Sequence, residues 1–255
     1  MIIQSNSSYK GEQTMIKDLD EHLVGIAIGV RFRPNFSIED QLGRIADTIL
    51  YSENSFFDPS VFPRATTSAP SKELLNEDTG DRLFIDHSNI ILELYFGSDL
   101  HFVKEDLQNI LDNFDEQVIK GVLRELKIKE VVRMGYIRRY VFDIESLASS
   151  FVEKTIGNTL GGVNDINLNF SKRIPSQEAL VKEDIADYDN AIFTIKKKAS
   201  ENEIFMALDY QSFYDPFLQT ADLLKFRPFI ETATQFNKRG FLKWLNENYV
   251  EGQHE

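Results

Sequence analysis

The order in which two kinds of apolar periodicity follow one another constrains this chain most, because the same order occurs twice. Residues 22–32 are rich in β-branched and aromatic side chains and stop before Pro34, as a strand does. Ser37 and Asp40 then stand in the pattern of a capping box, and Ile38, Leu42, Ile45, Ala46, Ile49 and Leu50 form one apolar stripe at helical spacing. Residues 56–71 hold three prolines and many Ser and Thr, which predicts a loop with an edge strand at its end. Residues 81–86 and 90–96 are β-rich runs joined by His87-Ser88-Asn89, which predicts a hairpin. From Phe102 to about Lys127, apolar residues at spacings of three and four, among them Ile110, Phe114, Val118 and Leu123, predict a long helix with acidic residues on its other face.

The second half repeats this order. Residues 131–142 read as a strand, with Asp143 as an N-cap for the stripe Ile144, Leu147, Ala148, Phe151, Val152 and Ile156, which Gly157 ends. Residues 166–174 and 191–197 read as strands separated by an acidic loop with Asp184, Asp187 and Asp189. A third, residues 204–210, can be laid on residues 90–96, apolar on apolar. A last helical region spans 217–249, interrupted near Arg227-Pro228. The pattern predicts an α+β fold made by tandem duplication of a strand–helix–three strands–helix unit. An N-terminal segment (1–21) precedes a first lobe (22–128) and a second (129–255), with antiparallel sheets covered on one face by long helices. This order resembles a helix-grip or TATA-binding-protein-like arrangement, an analogy of fold alone. An α+β chain whose halves coincide in order by chance needs the same helical cover.

Composition removes several chemistries. The 255 residues are 42% hydrophobic, enough for a sizeable core, and carry 28 Lys plus Arg against 41 Asp plus Glu, a net charge of −13 that argues against wrapping duplex phosphates. The excess of acid lies mainly in the first half. No cysteine is present, so disulfides, thiolate metal sites and a cysteine nucleophile are excluded. The first twenty residues lack a signal-peptide apolar run and no stretch suits a membrane span, so the expected location is the cytoplasm, with no membrane partner.

No set of residues meets the needs of a reaction. A Gly-x-Ser-x-Gly elbow, a P-loop and kinase or dinucleotide fingerprints are missing, and the glycine cluster at 157–162 reads as a helix end and turn. His22, His87, His101 and His254 are scattered, and Asp86-His87 falls in the hairpin turn. Asp18, Asp20, Glu21 and His22 read as a solvated segment without calcium-loop spacing. Glu93 and Asp209 hold corresponding places in the two halves and read as solvated strand carboxylates; their competing role is in a metal-assisted hydrolase. No catalytic residue, metal or cofactor is therefore expected.

Two sets of residues remain as candidates for binding. Arg133 and Arg139 alternate onto one face of the 131–142 strand, with Arg138 on the other, while Lys172, Arg173 and Lys197 sit near the ends of later strands. Interleaved with Tyr136, Tyr140 and Phe170, they are candidates for a phosphate-bearing ligand or single-stranded nucleic acid. Phe213, Tyr214 and Phe217, around Asp215-Pro216, and Trp244 on the last helix are candidates for a protein partner, because aromatic anchors dominate interfaces.

The run Val132-Arg133-Met134-Gly135-Tyr136-Ile137-Arg138-Arg139-Tyr140, together with the later Leu208-Asp209-Tyr210, is similar to a sporadically distributed, functionally uncharacterised family of bacterial proteins of comparable length. The resemblance implies no activity, cofactor or catalytic residue. It implies an accessory protein of mobile or defence-like loci. The expectation is a non-catalytic, macromolecule-binding accessory or regulatory protein, antitoxin-like or defence-associated, with a protein partner and with homo-oligomerisation left open. The alternative is a nucleotide or single-stranded nucleic-acid binding or processing protein using the basic strands of the second half.

Overall fold

Nine described strands, most of them with alternating apolar residues, build a single antiparallel sheet. The computed structural model describes residues 16–51, 64–68, 71–96, 104–128, 130–142, 165–175, 188–197, 203–218 and 224–247. The strands are β1 (Leu23–Phe32), β2 (Arg64–Ser68), β3 (Ser71–Leu75), β4 (Arg82–Ile85), β5 (Asn89–Tyr95), β6 (Val131–Phe142), β7 (Ile166–Pro175), β8 (Tyr188–Lys197) and β9 (Ile204–Leu218). Their order across the sheet is β2-β3-β4-β5-β1-β6-β9-β8-β7. The strands that open the two halves, β1 and β6, therefore lie side by side in the middle, with Ile28 opposite Tyr136 and Gly29 opposite Gly135.

Three helices are described: α1 (Ser37–Leu50), α2 and α3. Helix α2 runs through Lys104–Asn113, widens to a π-helix over Phe114–Lys120 and ends in Gly121–Glu125. Helix α3 does the same through Phe226–Gln235, Phe236–Phe241 and Leu242–Leu245. Within the wide turn of α2, Lys120 reaches Asp115 five residues back, at 2.8 Å. None of these helices is long and apolar enough to cross a membrane.

One face of the sheet carries the core. Ile26, Ile28 and Val30 of β1, Leu92 and Leu94 of β5, Tyr136 and Tyr140 of β6 and Met206 and Leu208 of β9 are buried in a single cluster. The same cluster takes in Ile45 and Ile49 of α1, Phe114 and Val118 of α2, and Phe229 and Phe241 of α3. Each such side chain stabilises the fold by about 1.5–3 kcal/mol, so all three helices are held on this face. The opposite face carries no described helix.

Several expectations are corrected. Residues 64–68 and 71–75 form two strands between and after the prolines, so four strands, not three, lie between α1 and α2. Asp215-Pro216 is not a turn: β9 continues to Leu218. Among the described residues its ladder with β8 ends at Phe213, and further along β9 pairs with β6 through a register shift. The last helix consequently starts at Phe226, with Pro228 in its first turn, where proline is accepted. Helix α1 is capped from outside the expected box, since the Asn35 side-chain carbonyl accepts from the Ser37 N–H and hydroxyl at 3.1 and 2.6 Å. The 87–89 hairpin holds as read, with the Asp86 carboxylate accepting from the backbone N–H groups of Ser88 and Asn89, each at 2.6 Å. The stripe from Ile144 to Ile156 and the glycines 157–162 lie outside the described residues.

The packing of β1 against β5 leaves no room for side chains at two places. A Cβ on Gly29 would stand 2.3 Å from the Ile90 carbonyl oxygen, whereas one on Gly135, directly across the sheet, would meet nothing closer than 3.8 Å. Gly29→Ala should therefore destabilise the fold by about 1–3 kcal/mol, and Gly135→Ala by no more than about 0.5 kcal/mol, in urea denaturation. Equal losses for the two variants would contradict this β1–β5 geometry.

Candidate functional site

The face on which no helix is described, the outer face, is built from the alternate residues of each strand, and antiparallel register aligns them into rows that no single strand reveals. One row runs Tyr188–Phe213–Arg133–Arg31–Asn89 across β8, β9, β6, β1 and β5. The next runs Asn190–Gln211–Gly135–Gly29–Ile91, and the one after it brings Asp209, Ile137, Ala27 and Glu93 into line. Because the middle row has two adjacent glycines, it forms a trough of about 90 Å³ lined by Arg31, Asn89, Arg133, Asp209 and Gln211, among others.

The cationic wall of the trough is poorly neutralised. Arg31 lies directly opposite Arg133, an unfavourable like-charge pairing, and it is exposed, with no ion-pair partner among the described residues. Arg133 is half-buried and donates from Nη1 to Gln211 Oε1 at 3.3 Å. Burial holds its guanidinium below the ordinary value; Asp209 opposes that effect and Arg31 adds to it. Asp209 accepts from Gln211 Nε2 at 2.5 Å, but burial raises its carboxyl above the usual range against the opposing pull of Gln211 and Arg133.

On the far side of the trough Glu93 is saturated instead, although Arg139 Nη1 is buried without an acceptor. Glu93 accepts from Arg82 Nε at 2.6 Å, from Arg139 Nη2 at 2.8 Å and from the Tyr95 hydroxyl at 3.0 Å. Burial alone would raise the Glu93 carboxyl, yet the bonds and charges of Arg139 and Arg82 together hold it below its ordinary value. Arg139 also lies over the Tyr95 ring, 5.6 Å from its centroid.

The basic residues singled out from the sequence divide between the two faces. Arg133, Arg139 and Arg173 lie on the outer face. Lys172 and Lys197 share register with buried Ala191 and Ile204 and so belong to the other side. The aromatic residues divide likewise. Phe213 stands in the trough's outer row, stacked on Tyr188 at 4.7 Å. Tyr214 and Trp244 pack against the core, with Trp244 5.9 Å from Phe241 and 6.3 Å from Phe193. The side chain of Phe217 lies outside the described residues. Arg31, Asn89 and Gln211 were not singled out in the sequence, because only the β1–β6 and β6–β9 registers bring them to Arg133.

Charge is segregated on this face. Among its described side chains stand six cations (Arg31, Arg82, Arg133, Arg139, Arg173 and Lys196) against three carboxylates, Glu73, Glu93 and Asp209, so the described part of this face is net positive on a chain of net charge −13. Among the described residues no three His, Asp or Glu side chains are grouped to hold a metal ion. The reading of Asp20 as solvated is corrected: it lies in a short 3₁₀-helix (Leu19–His22), accepts from the buried Arg138 and stands 3.0 Å from Lys238. No family model and no curated protein matches the chain.

Asp209 and Glu93 should respond to pH with opposite signs. A raised carboxyl contributes stability below its ordinary pKa that is lost as pH rises through the folded value, so Asp209→Asn should stabilise the protein at pH 7 and be near neutral in acid. A depressed carboxyl contributes above its ordinary pKa and loses that contribution as pH falls through the folded value. Glu93→Gln should therefore cost about 1–3 kcal/mol at pH 7 and progressively less below pH 4. Denaturation midpoints of both variants between pH 3 and 7 check this.

Proposed function

We propose that this chain is a non-catalytic accessory or regulatory protein that binds an acidic protein segment along the trough of its outer sheet face. The observation that carries the reading is the facing pair Arg31 and Arg133 beside a floor of glycines. Two guanidinium groups placed opposite each other cost free energy in the free protein, and an anionic partner would relieve that cost. The apolar walls supplied by Ala27, Ile91 and Ile137 suit a segment that mixes carboxylates with aliphatic residues, and the glycine floor lets its backbone come close. The resemblance noted in the sequence points in the same direction, towards an antitoxin-like or defence-associated accessory protein.

Single-stranded nucleic acid or a nucleotide is the second reading, favoured by the ladder of Arg173, Tyr188, Phe213 and Arg133. Arg173 stands 3.6 Å from the Tyr188 centroid, Tyr188 stacks on Phe213, and Arg133 lies 5.7 Å over Phe213. Those contacts also weigh against it. The rings spend their faces on each other and on the guanidiniums, so a base meets ring edges rather than a stacking platform. A chain of net charge −13 also repels a long polyanion except at this face.

Tandem duplication is part of the proposal. Outward from the centre the order is β1, β5, β4, β3 on one side and β6, β9, β8, β7 on the other, with β2 additional. That symmetry, with all three described helices on one face, supports two related units joined in a helix-grip or TATA-binding-protein-like manner.

Fluorescence anisotropy with a labelled peptide alternating Glu and Leu, and with a thymidine oligonucleotide, separates the readings. The peptide should bind in a salt-sensitive manner, and joint Arg31→Gln and Arg133→Gln replacement should weaken it roughly tenfold or more. Tighter binding of the oligonucleotide, or no effect of the double replacement, would overturn the acidic-segment reading.

A further inference from the structure

Arg138 occupies a position that alternation reserves for the core. Its strand neighbours Tyr136 and Tyr140 and its cross-strand partners Ile26 and Leu208 are all buried, and Arg138 itself is only 4% exposed. Burying a guanidinium costs several kcal/mol unless charge and hydrogen bonds compensate. The compensation found is incomplete. Asp20 accepts from one terminal nitrogen of Arg138 but is shared with Lys238 at 3.0 Å, while Arg138 Nε–H has no acceptor. Two cations thus share one carboxylate, and one positive charge is left over.

This cluster borders a cavity of about 280 Å³ between α2, α3 and the middle of the sheet, on the side opposite the trough. Its walls have two characters. Leu23, Phe96, Leu107, Leu111 and Ile230 are apolar, whereas Arg138, Lys238 and Tyr136 are polar. Lys238, whose side chain is 39% exposed, and the half-exposed Gln108 and Thr234 mark the way in between the two helices. The volume is at the low end for a small-molecule pocket, and such pockets combine apolar walls with a few convergent polar groups.

We infer that this cavity is a binding site for a small amphipathic monocarboxylate, whose anionic head joins the Arg138–Asp20–Lys238 cluster and whose apolar body lies against Leu107, Leu111 and Ile230. One added negative charge balances the cluster, whereas a phosphate dianion would exceed it. Tyr136, whose hydroxyl is kept protonated by burial, stands on the same wall. The site is independent of the trough, which lies on the other face and is lined by other residues.

Isothermal titration calorimetry and thermal unfolding of the full chain, with hexanoate, hexanamide and inorganic phosphate as probes, test the inference. Hexanoate should bind saturably and raise the unfolding midpoint, with hexanamide and phosphate at least tenfold weaker. Lys238→Gln should weaken hexanoate at least tenfold, and Thr234→Trp, at the entrance, should abolish binding without touching the charge cluster. Arg31→Gln should change nothing. Because Arg138→Gln removes a buried ion pair and endangers folding, Lys238→Gln and Thr234→Trp carry the test. Equal binding of hexanoate and hexanamide, tighter binding of phosphate, no binding of hexanoate, or hexanoate binding undiminished in both variants would overturn the inference.

Discussion

The antiparallel pairing of β1 with β6 is the contact on which the rest of the molecule depends. It joins the strands of both halves into one ladder, and its register sets every face in the sheet. With Ile28 opposite Tyr136, the even-numbered residues of both strands turn towards the helices and the odd-numbered ones away between two register shifts, beyond which Leu23 pairs with Tyr140 and Val131 with Phe32. A slip of one residue in either strand would exchange its apolar and polar rows, so the shared core enforces the register. Gly29 belongs to the same constraint. The close approach of β5 excludes a side chain there, and its neighbour across the ladder is also glycine. The bare row that results gives the outer face its trough.

Three arginines of β6 show how that register distributes chemistry. Arg139 meets Glu93 and is neutralised, so it supports the sheet as a cross-strand ion pair. Arg133, six residues away on the same face, meets Arg31 across the ladder and donates to Gln211, with no carboxylate directly opposite it on β1. Arg138 turns the other way, into the core, where Asp20 and Lys238 meet it beside the interior cavity. The three have the same side chain and lie on one strand, and their roles differ because their cross-strand and cross-layer neighbours differ. Coulomb energies at a few ångströms change by several kcal/mol with the sign of the neighbour and with burial, which exceeds any intrinsic difference between the positions.

The two faces are thereby suited to different ligands. The outer face offers a shallow strip whose described side chains are net positive, which is where we propose that an extended acidic segment binds. The helical face encloses a small space with one surplus charge and apolar walls, which matches a compact anion. In both places the feature that points to a ligand is a cation without its full complement of neighbours. Such a group costs free energy in the unliganded protein, and binding recovers it.

Much of the fold could be read from local pattern. The strand at 22–32, the stripes of α1 and α2, the 87–89 hairpin and the core side of each strand follow from period and turn chemistry, which act over a few residues. The reading failed where tertiary neighbours overrule local preference: Pro216 lies in β9, which continues to Leu218 beside β6, and residues 71–75 become a strand because β4 offers them a ladder, to which residues 64–68 add another strand. For the candidate sites, the sequence by itself determined that Arg133 and Arg139 share a face and that Arg138 opposes them. Only the tertiary structure decided that Arg139 is paired, that Arg31 stands against Arg133, and that Asp20 is drawn inside to Arg138. Those facts depend on contacts between residues up to 118 positions apart, whose register is fixed by burial of the whole core rather than by any local signal.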